Sequence, residues 1–310
     1  MEKKIIIFLL LLYFIAHNSH GQLSTTSTQG ITNEFGSDVV TKIIEESGNT
    51  VGTITYLSRG SKKVKARFFA YNPSNSISAY QRFLEWKKDK KVILLTSAGF
   101  SESLNNPICK GFCVEEGAGI GPSVDNDLDA LVFIYGYDAD AGGVVIIDLD
   151  RNFGEMTLNK VVYRPRLQPS TFYSACIDAG AFAFQTQLFY FKDVPRFSWS
   201  AASSSTNSRR FFAVLRKDGI VNHAVIHLPG NFTLTEYAEK AYQLLKRQGY
   251  EVIGLLNFDT GAYDFFRLYY NNSRNYYSSL LGNNGKVISL IGGQDDKINS
   301  ATNFIVYYYE

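Results

Sequence analysis

The residues of this 310-residue chain best placed by type and spacing to do chemistry lie in Leu255-Leu256-Asn257-Phe258-Asp259-Thr260-Gly261-Ala262-Tyr263. The run from Val252 to Leu256 is apolar and drops straight into a polar, glycine-containing turn. A buried strand that ends this way projects its last polar residues from the sheet edge. Asp259 is then aimed at one fixed place, where a carboxylate serves as acid, base, nucleophile or metal ligand. The competing expectation is that Asp259 caps its own turn by accepting from nearby N–H groups.

Two other stretches end in the same manner. Val92 to Leu95 empties into Thr96-Ser97-Ala98-Gly99-Phe100, and Ala175-Cys176-Ile177-Asp178-Ala179-Gly180-Ala181 reads as a third strand-to-glycine turn. Arg209-Arg210 precedes a strand after the Ser-rich stretch from Ser200. An arginine there either clamps a phosphate or carboxylate with two parallel hydrogen bonds or caps the edge of a sheet. Asp125-Asn126-Asp127-Leu128-Asp129 and Asp138-Ala139-Asp140-Ala141-Gly142-Gly143 alternate carboxylates but lack the spacing and closing Glu of a calcium loop, so they read as acidic surface turns. His223 and His227 share one face of a strand without a visible partner. No metal site is expected there. A serine- or cysteine-dependent hydrolase would need one of these histidines beside Ser97 or Cys176.

Composition sets the frame for these residues. The chain is 45% hydrophobic and 15% aromatic, with 20 Tyr and 23 Phe, which favours strands and a sizeable core. The net charge is +2, and the one basic block, Lys87-Lys88-Asp89-Lys90-Lys91, reads as a solvated helix end, so no nucleic-acid footprint is present. Lys3 and Lys4 precede an apolar run, Ile5 to Ala16, and Ser19-His20-Gly21 offers small residues for cleavage. Residues 1–21 therefore read as a secretory signal peptide, which implies an exported protein, periplasmic or extracellular. Its removal takes away two lysines and one glutamate, leaving a mature charge of +1. No later apolar run is long enough for a membrane span. Of the three cysteines, Cys109 and Cys113 are close enough in sequence to bridge one loop, and Cys176 reads as a buried free thiol.

The elements that must position these groups follow from periodicity. Residues 22–34 read as a flexible Ser/Thr/Gly-rich lead. Ser37 to Glu46, with Val39, Val40, Ile43 and Ile44 at helical spacing, reads as a short helix. Strands are expected over Thr50 to Leu57, Lys63 to Tyr71, Ala130 to Tyr137, Val144 to Leu149 and Leu158 to Tyr163, with a helix over Ser78 to Lys88. Phe211 to Leu215 and Val221 to His227, joined by Lys217-Asp218-Gly219, form the clearest hairpin. Thr233-Leu234-Thr235-Glu236 supplies a capping box for the strongest helix, which Gly249 ends. Phe265 to Tyr270, Val287 to Ile291 and Phe304 to Tyr309 complete the strands. The expected fold is one α+β domain over 35–310, with mixed, largely antiparallel β-sheets and a few packed helices.

In this order the pieces resemble the phosphodiester glycosidase family, whose best-known activity removes N-acetylglucosamine from a phosphodiester. Leu95-Thr96-Ser97-Ala98-Gly99-Phe100-Ser101 resembles its strand running into an N-[AG]-G-[FY]-F turn. Pro107 and Gly111-Phe112-Cys113-Val114-Glu115-Glu116-Gly117 resemble its G-[LF]-x-V-x-x-G segment. Cys176 to Ala181 resembles A-x-x-[AS]-G-P, Arg210 to Gly219 resembles an Arg, strand and K-D-G turn, and Asn257 to Tyr263 resembles L-D-G-G-x-S. The likeness covers residues 90–310. Ser97 replaces the family's Asn, Ala181 its Pro, Thr260 one Gly, and Tyr263 stands near its Ser. These departures mark a divergent member with a changed substrate or with activity lost.

The resemblance implies a secreted glycosidase-like hydrolase acting on a sugar phosphodiester or related glycoside. Such chemistry uses two carboxyl groups. Asp259 takes one role, and Asp178 or Glu115 the other. Arg210 holds the phosphate, while Ser97 and the backbone around Gly99 and Gly261 line the site. The implied ligand is a carbohydrate or sugar phosphate. No cofactor is required, and a divalent cation is compatible. The alternative is a secreted carbohydrate-binding or structural protein that keeps the fold without the chemistry. Whether Ser97, Asp178, Arg210 and Asp259 converge on one pocket discriminates between them.

Overall fold

A computed structural model describes residues 21–29, 31, 34–75, 77–103, 106–121, 123–134, 143–150, 155–196, 205–261, 264–270, 275–282, 287–290 and 295–310. The expected signal peptide, apart from its last residue, lies outside the described residues. The chain is then read as strand β1 (Leu23–Gln29), not as the flexible lead its composition predicts. Thr25, Thr26 and Thr28 are β-branched, and such residues fit a pleated sheet. β2 (Val39–Glu46) replaces the predicted short helix. Its Val-Val and Ile-Ile doublets imitate helical spacing, but β-branched side chains lose rotamer freedom in a helix and pack well in a strand.

β3 (Asn49–Ser58) and β4 (Val64–Ala70) follow as expected, then α1 (Ala79–Trp86). Ser78 Oγ caps α1 by accepting from the Gln81 N–H at 3.1 Å. β5 (Lys91–Ser97) carries the first candidate turn at its end. Short strands β6 (Ser101–Ser103), β7 (Asn106–Cys109), β8 (Cys113–Glu115) and β9 (Ala118–Gly121) organise the cysteine-containing segment. β10 (Ala130–Ile134) and β11 (Val144–Asp148) pair with each other as expected. The acidic run at 138–142 lies outside the described residues. The single strand predicted to Tyr163 is instead a hairpin, β12 (Met156–Leu158) with β13 (Val161–Tyr163). Its turn residues Asn159 and Lys160 both have positive φ, 51° and 67°, as tight hairpins of the primed type require.

The predicted strand-to-glycine turn at Cys176 is a helix, α2 (Pro169–Asp178). Pro169 stands in the first turn and Gly180, at φ 60°, follows the end, the normal places for these residues around a helix. β14 (Phe182–Phe191), β15 (Val194–Pro195), β16 (Thr206–Lys217) and β17 (Ile220–Thr233) come next, and the last two form the expected hairpin at greater length. α3 (Leu234–Arg247) buries Leu234, Ala238, Ala241, Leu244 and Leu245. Its predicted capping box is not made to the backbone: the Thr233 hydroxyl donates to Glu236 Oε2 at 2.8 Å instead. β18 (Glu251–Phe258), β19 (Phe266–Tyr270), β20 (Asn275–Tyr276), β21 (Ser279–Gly282), β22 (Val287–Ser289) and β23 (Asn303–Tyr309) complete the fold.

Two antiparallel sheets face each other. The larger runs β11-β10-β14-β18-β16-β17-β3-β2-β1-β21-β22, with β8, β9 and β15 attached, and the smaller runs β20-β19-β5-β23-β4. Side chains from both fill the space between them, among them Phe68, Ile93, Phe184, Phe212, Leu256 and Tyr307. α3 covers the outer face of the large sheet through Phe189, Phe211 and Leu255, and α2 covers it near Leu131 and Ala183. α1 covers the outer face of the small sheet through Phe69, Leu95 and Phe304. No helix among the described residues is long and apolar enough to cross a membrane.

Candidate functional site

The ends of β18 and β5 meet, one from each sheet. The Asp259 N–H donates to the Ala98 carbonyl at 2.9 Å, and Ser97 Oγ lies 2.6 Å from the Asp259 carbonyl. Gly261 N–H donates to Asp259 Oδ1 at 2.8 Å, and a backbone hydrogen bond from Ser101 also reaches this carboxyl. Asp259 therefore does cap its own turn. Burial nevertheless dominates and pushes its pKa up to about 6; Asp264 also raises it, while the two N–H donors and Arg210 oppose the rise. Residues 262 and 263, including the Tyr263 of the resemblance, lie outside the described residues.

Arg210 reaches the same corner from β16 but is not free to bind a phosphate. It is fully buried and forms an ion pair with Asp264. Its Nη1 also donates to Ser97 Oγ at 2.8 Å and to the Phe265 carbonyl at 3.2 Å, and its Nη2 lies 3.1 Å from His227 Nδ1. Arginine has only donors, so His227 Nδ1 accepts and the imidazole is neutral. Burial, then the charge of Arg210, hold His227 well below the usual histidine range. A serine–histidine pair is thus not formed: Arg210 stands between Ser97 and His227. Cys176 is buried in α2 among Phe112, Phe133 and Phe172, and burial pushes its thiol up to about 12. Asp264 is the member of the corner that sequence reasoning missed. The available signal was physical: a buried guanidinium needs a carboxylate, and Asp264 follows the Asp259 turn directly.

The structure brings Ser97, Gly99, Arg210, Asp259 and Gly261 together, and no described contact joins Asp178 to them. Asp178 is the exposed last residue of α2, and none of the described hydrogen bonds or ion pairs ties it to Asp259. Glu115 is also committed elsewhere. Its Oε2 accepts from the Ala70 N–H at 2.8 Å and from Arg82 Nη2 at 2.6 Å, tying β8 to β4 and α1. Burial raises the Glu115 carboxyl, and Arg82 offsets part of that rise. Gly99 is needed for packing. A Cβ there would lie 3.0 Å from the Gln185 carbonyl, and Asn303 bonds both its N–H (2.6 Å) and its carbonyl (3.0 Å). Gly261 supplies an N–H to Asp259. The chemistry on offer is that of one buried carboxyl able to donate a proton near neutral pH. Asp264, the second carboxyl of the corner, is already paired with Arg210. Among the described residues no group of three or more His, Cys, Asp or Glu could hold a metal ion.

No protein-family model and no curated protein sequence matches this chain. Its fold does match a solved structure, the catalytic domain of zebrafish N-acetylglucosamine-1-phosphodiester alpha-N-acetylglucosaminidase, auto-inhibited by its pro-peptide. The TM-score is 0.51 at 12% identity, over 96% of this chain and 90% of that one. A hypothetical protein from Synechocystis aligns at TM-score 0.45 and 13% identity, over 94% of this chain and 68% of that one. The chain thus shares its overall fold with a glycosidase catalytic domain.

Proposed function

We propose that this protein is an exported glycosidase-like hydrolase, that its substrate is a sugar phosphodiester or related glycoside, and that Asp259 is its proton donor. The observation that carries the reading is the Asp259 carboxyl, held by burial at about 6 where the two sheets meet. A carboxylic acid with that value is half protonated near pH 6, about a tenth protonated at pH 7, and can protonate a leaving oxygen. The fold neighbour supports the glycoside class through its own activity, which is on an N-acetylglucosamine-1-phosphodiester. Ser97 and Arg210 act in this reading through position: they hold the Asp259 and Asp264 backbone segments on β5 and β16.

One observation favours a second reading, a carbohydrate-binding protein that keeps the fold without the chemistry. Arg210 is sealed and neutralised by Asp264, and Asp178 stands elsewhere, so neither the phosphate clamp nor the second carboxyl is supplied as the sequence suggests. Hydrolysis of a panel of sugar-1-phosphodiesters and aryl glycosides by residues 22–310, beside Asp259→Asn, decides between them. Hydrolysis by the wild type that the variant lacks supports the enzyme. Equal rates remove Asp259 from the mechanism. No hydrolysis across the panel by a folded protein leaves the binding reading.

A further inference from the structure

Cys109 ends β7 and Cys113 opens β8, with Lys110-Gly111-Phe112 between them. Both cysteines are buried, and their Sγ atoms lie 2.9 Å apart. A disulfide needs about 2.05 Å, so a movement below about 1 Å would close the bond. The link between them is held independently of the sulfurs. Gly111 has φ 77°, the Phe112 N–H donates to Gln185 Oε1 at 2.8 Å, and the Gln185 N–H donates to the Phe112 carbonyl at 3.1 Å. The backbone thus presents the two thiols to each other from fixed positions.

Their places in the sheets connect them to the candidate site. Cys113 pairs with Phe184 of β14 in the large sheet. Cys109 pairs with Ser101 of β6, and the Lys110 N–H donates to the Phe100 carbonyl at 2.8 Å. Ser101 is the residue whose backbone N–H bonds the Asp259 carboxyl. We propose that Cys109 and Cys113 form a disulfide, and that this bond fixes the Ser101 N–H on the Asp259 carboxylate by tying the β6–β7 ribbon to the large sheet.

The reaction is an exchange. The two thiols each lose a proton, the new S–S bond forms, and the two electrons reduce an external disulfide, such as oxidised glutathione, to two thiols. Burial and the neighbouring thiol push Cys113 well above the ordinary thiol range, so Cys113 holds little thiolate once it is buried. The bond therefore closes during folding, before β8 is covered.

The test begins with the wild-type chain, residues 22–310, refolded with oxidised glutathione and then denatured without reductant for thiol titration. The chain has three cysteines, and the expected result is one thiol, Cys176, rising to three after reduction. Three thiols before reduction overturn the disulfide. The second half is read by NMR on the folded protein. Reduction should shift the Ser101 amide signal and move the Asp259 titration midpoint upward, because a donor to the carboxylate is loosened. A disulfide whose reduction leaves both signals unchanged overturns the coupling. Where reduction unfolds the chain, the Cys109→Ser/Cys113→Ser double variant gives the same comparison, and failure of that variant to fold contradicts a fixing role confined to Ser101. The second half rests on the proposed role of Asp259. The thiol count and the Ser101 signal do not depend on hydrolysis, so an inactive protein with one thiol keeps the disulfide and loses only the enzyme.

Discussion

Two corners of the large sheet hold a buried aspartate in nearly the same electrostatic arrangement. At the end of β18, Asp259 lies near Arg210, but Arg210 is paired with Asp264. Just before β10, Asp129 lies near Arg196, but Arg196 is paired with Asp148 at 2.6 Å. Each arginine is thus spent on another carboxylate. In both corners burial dominates, and both aspartates rise to about 6. The surroundings differ. Asp129 accepts the Leu188 N–H at 2.7 Å, where β14 carries a bulge, and its buried Oδ2 has no hydrogen-bond partner among the described residues. Asp259 sits in a glycine turn where the two sheets meet and is held by the N–H groups of Gly261 in its own turn and of Ser101 at the start of β6. The difference teaches that a raised pKa reports burial with incomplete charge matching. It becomes a functional argument only beside a second observation, here the place of Asp259 at the end of a strand in a glycine turn where the two sheets meet.

The largest expected effect breaks the charge matching itself. Asp264→Ala leaves Arg210 buried without a counter-charge and should destabilise the fold by about 3–5 kcal/mol, measured by chemical denaturation. Arg210→Met with Asp264→Leu should recover much of that loss, since neither charge then remains buried. The next effect separates the two aspartates. The unfolded chain ionises Asp129 near its ordinary 3.8 and the folded chain near 6. The buried carboxylate therefore opposes folding increasingly as pH rises from about 4 to about 6, fully above that, and not below it. Asp129→Asn should raise stability by up to about 3 kcal/mol at pH 8 and by nothing at pH 4, and should leave hydrolysis as in the wild type. A stability gain independent of pH would break the parallel between the corners. The smallest effect is at Ser97. Ser97→Ala removes the hydroxyl between Arg210 and the Asp259 carbonyl and should cost about 1–2 kcal/mol in a denaturation measurement.

What was legible in the sequence was local. The apolar run of β18 into Asp259, the Lys217-Asp218-Gly219 hairpin and the amphipathic α3 each declare themselves within a few residues. β2 and α2 were misread because short apolar stretches satisfy both periods, and sheet partners on both sides of β2 decided the first case. The commitments of Arg210 and Glu115 were not legible, because their partners Asp264 and Arg82 lie 54 and 33 residues away. The second carboxylate was no more legible than these pairings. Residue type placed Asp178 and Glu115 among the candidates; Glu115 is bound to Arg82 and the Ala70 N–H, and Asp178 lies exposed at the end of α2.

The most direct test of the account is the titration of the Asp259 carboxyl by carbon-13 NMR, assigned with Asp259→Asn and separated from Asp129 with Asp129→Asn. The account predicts a midpoint near 6 for Asp259. A midpoint in the ordinary aspartate range, near 3.8, would mean that the carboxyl is solvated and already ionised at pH 6, and would contradict its assignment as the proton donor.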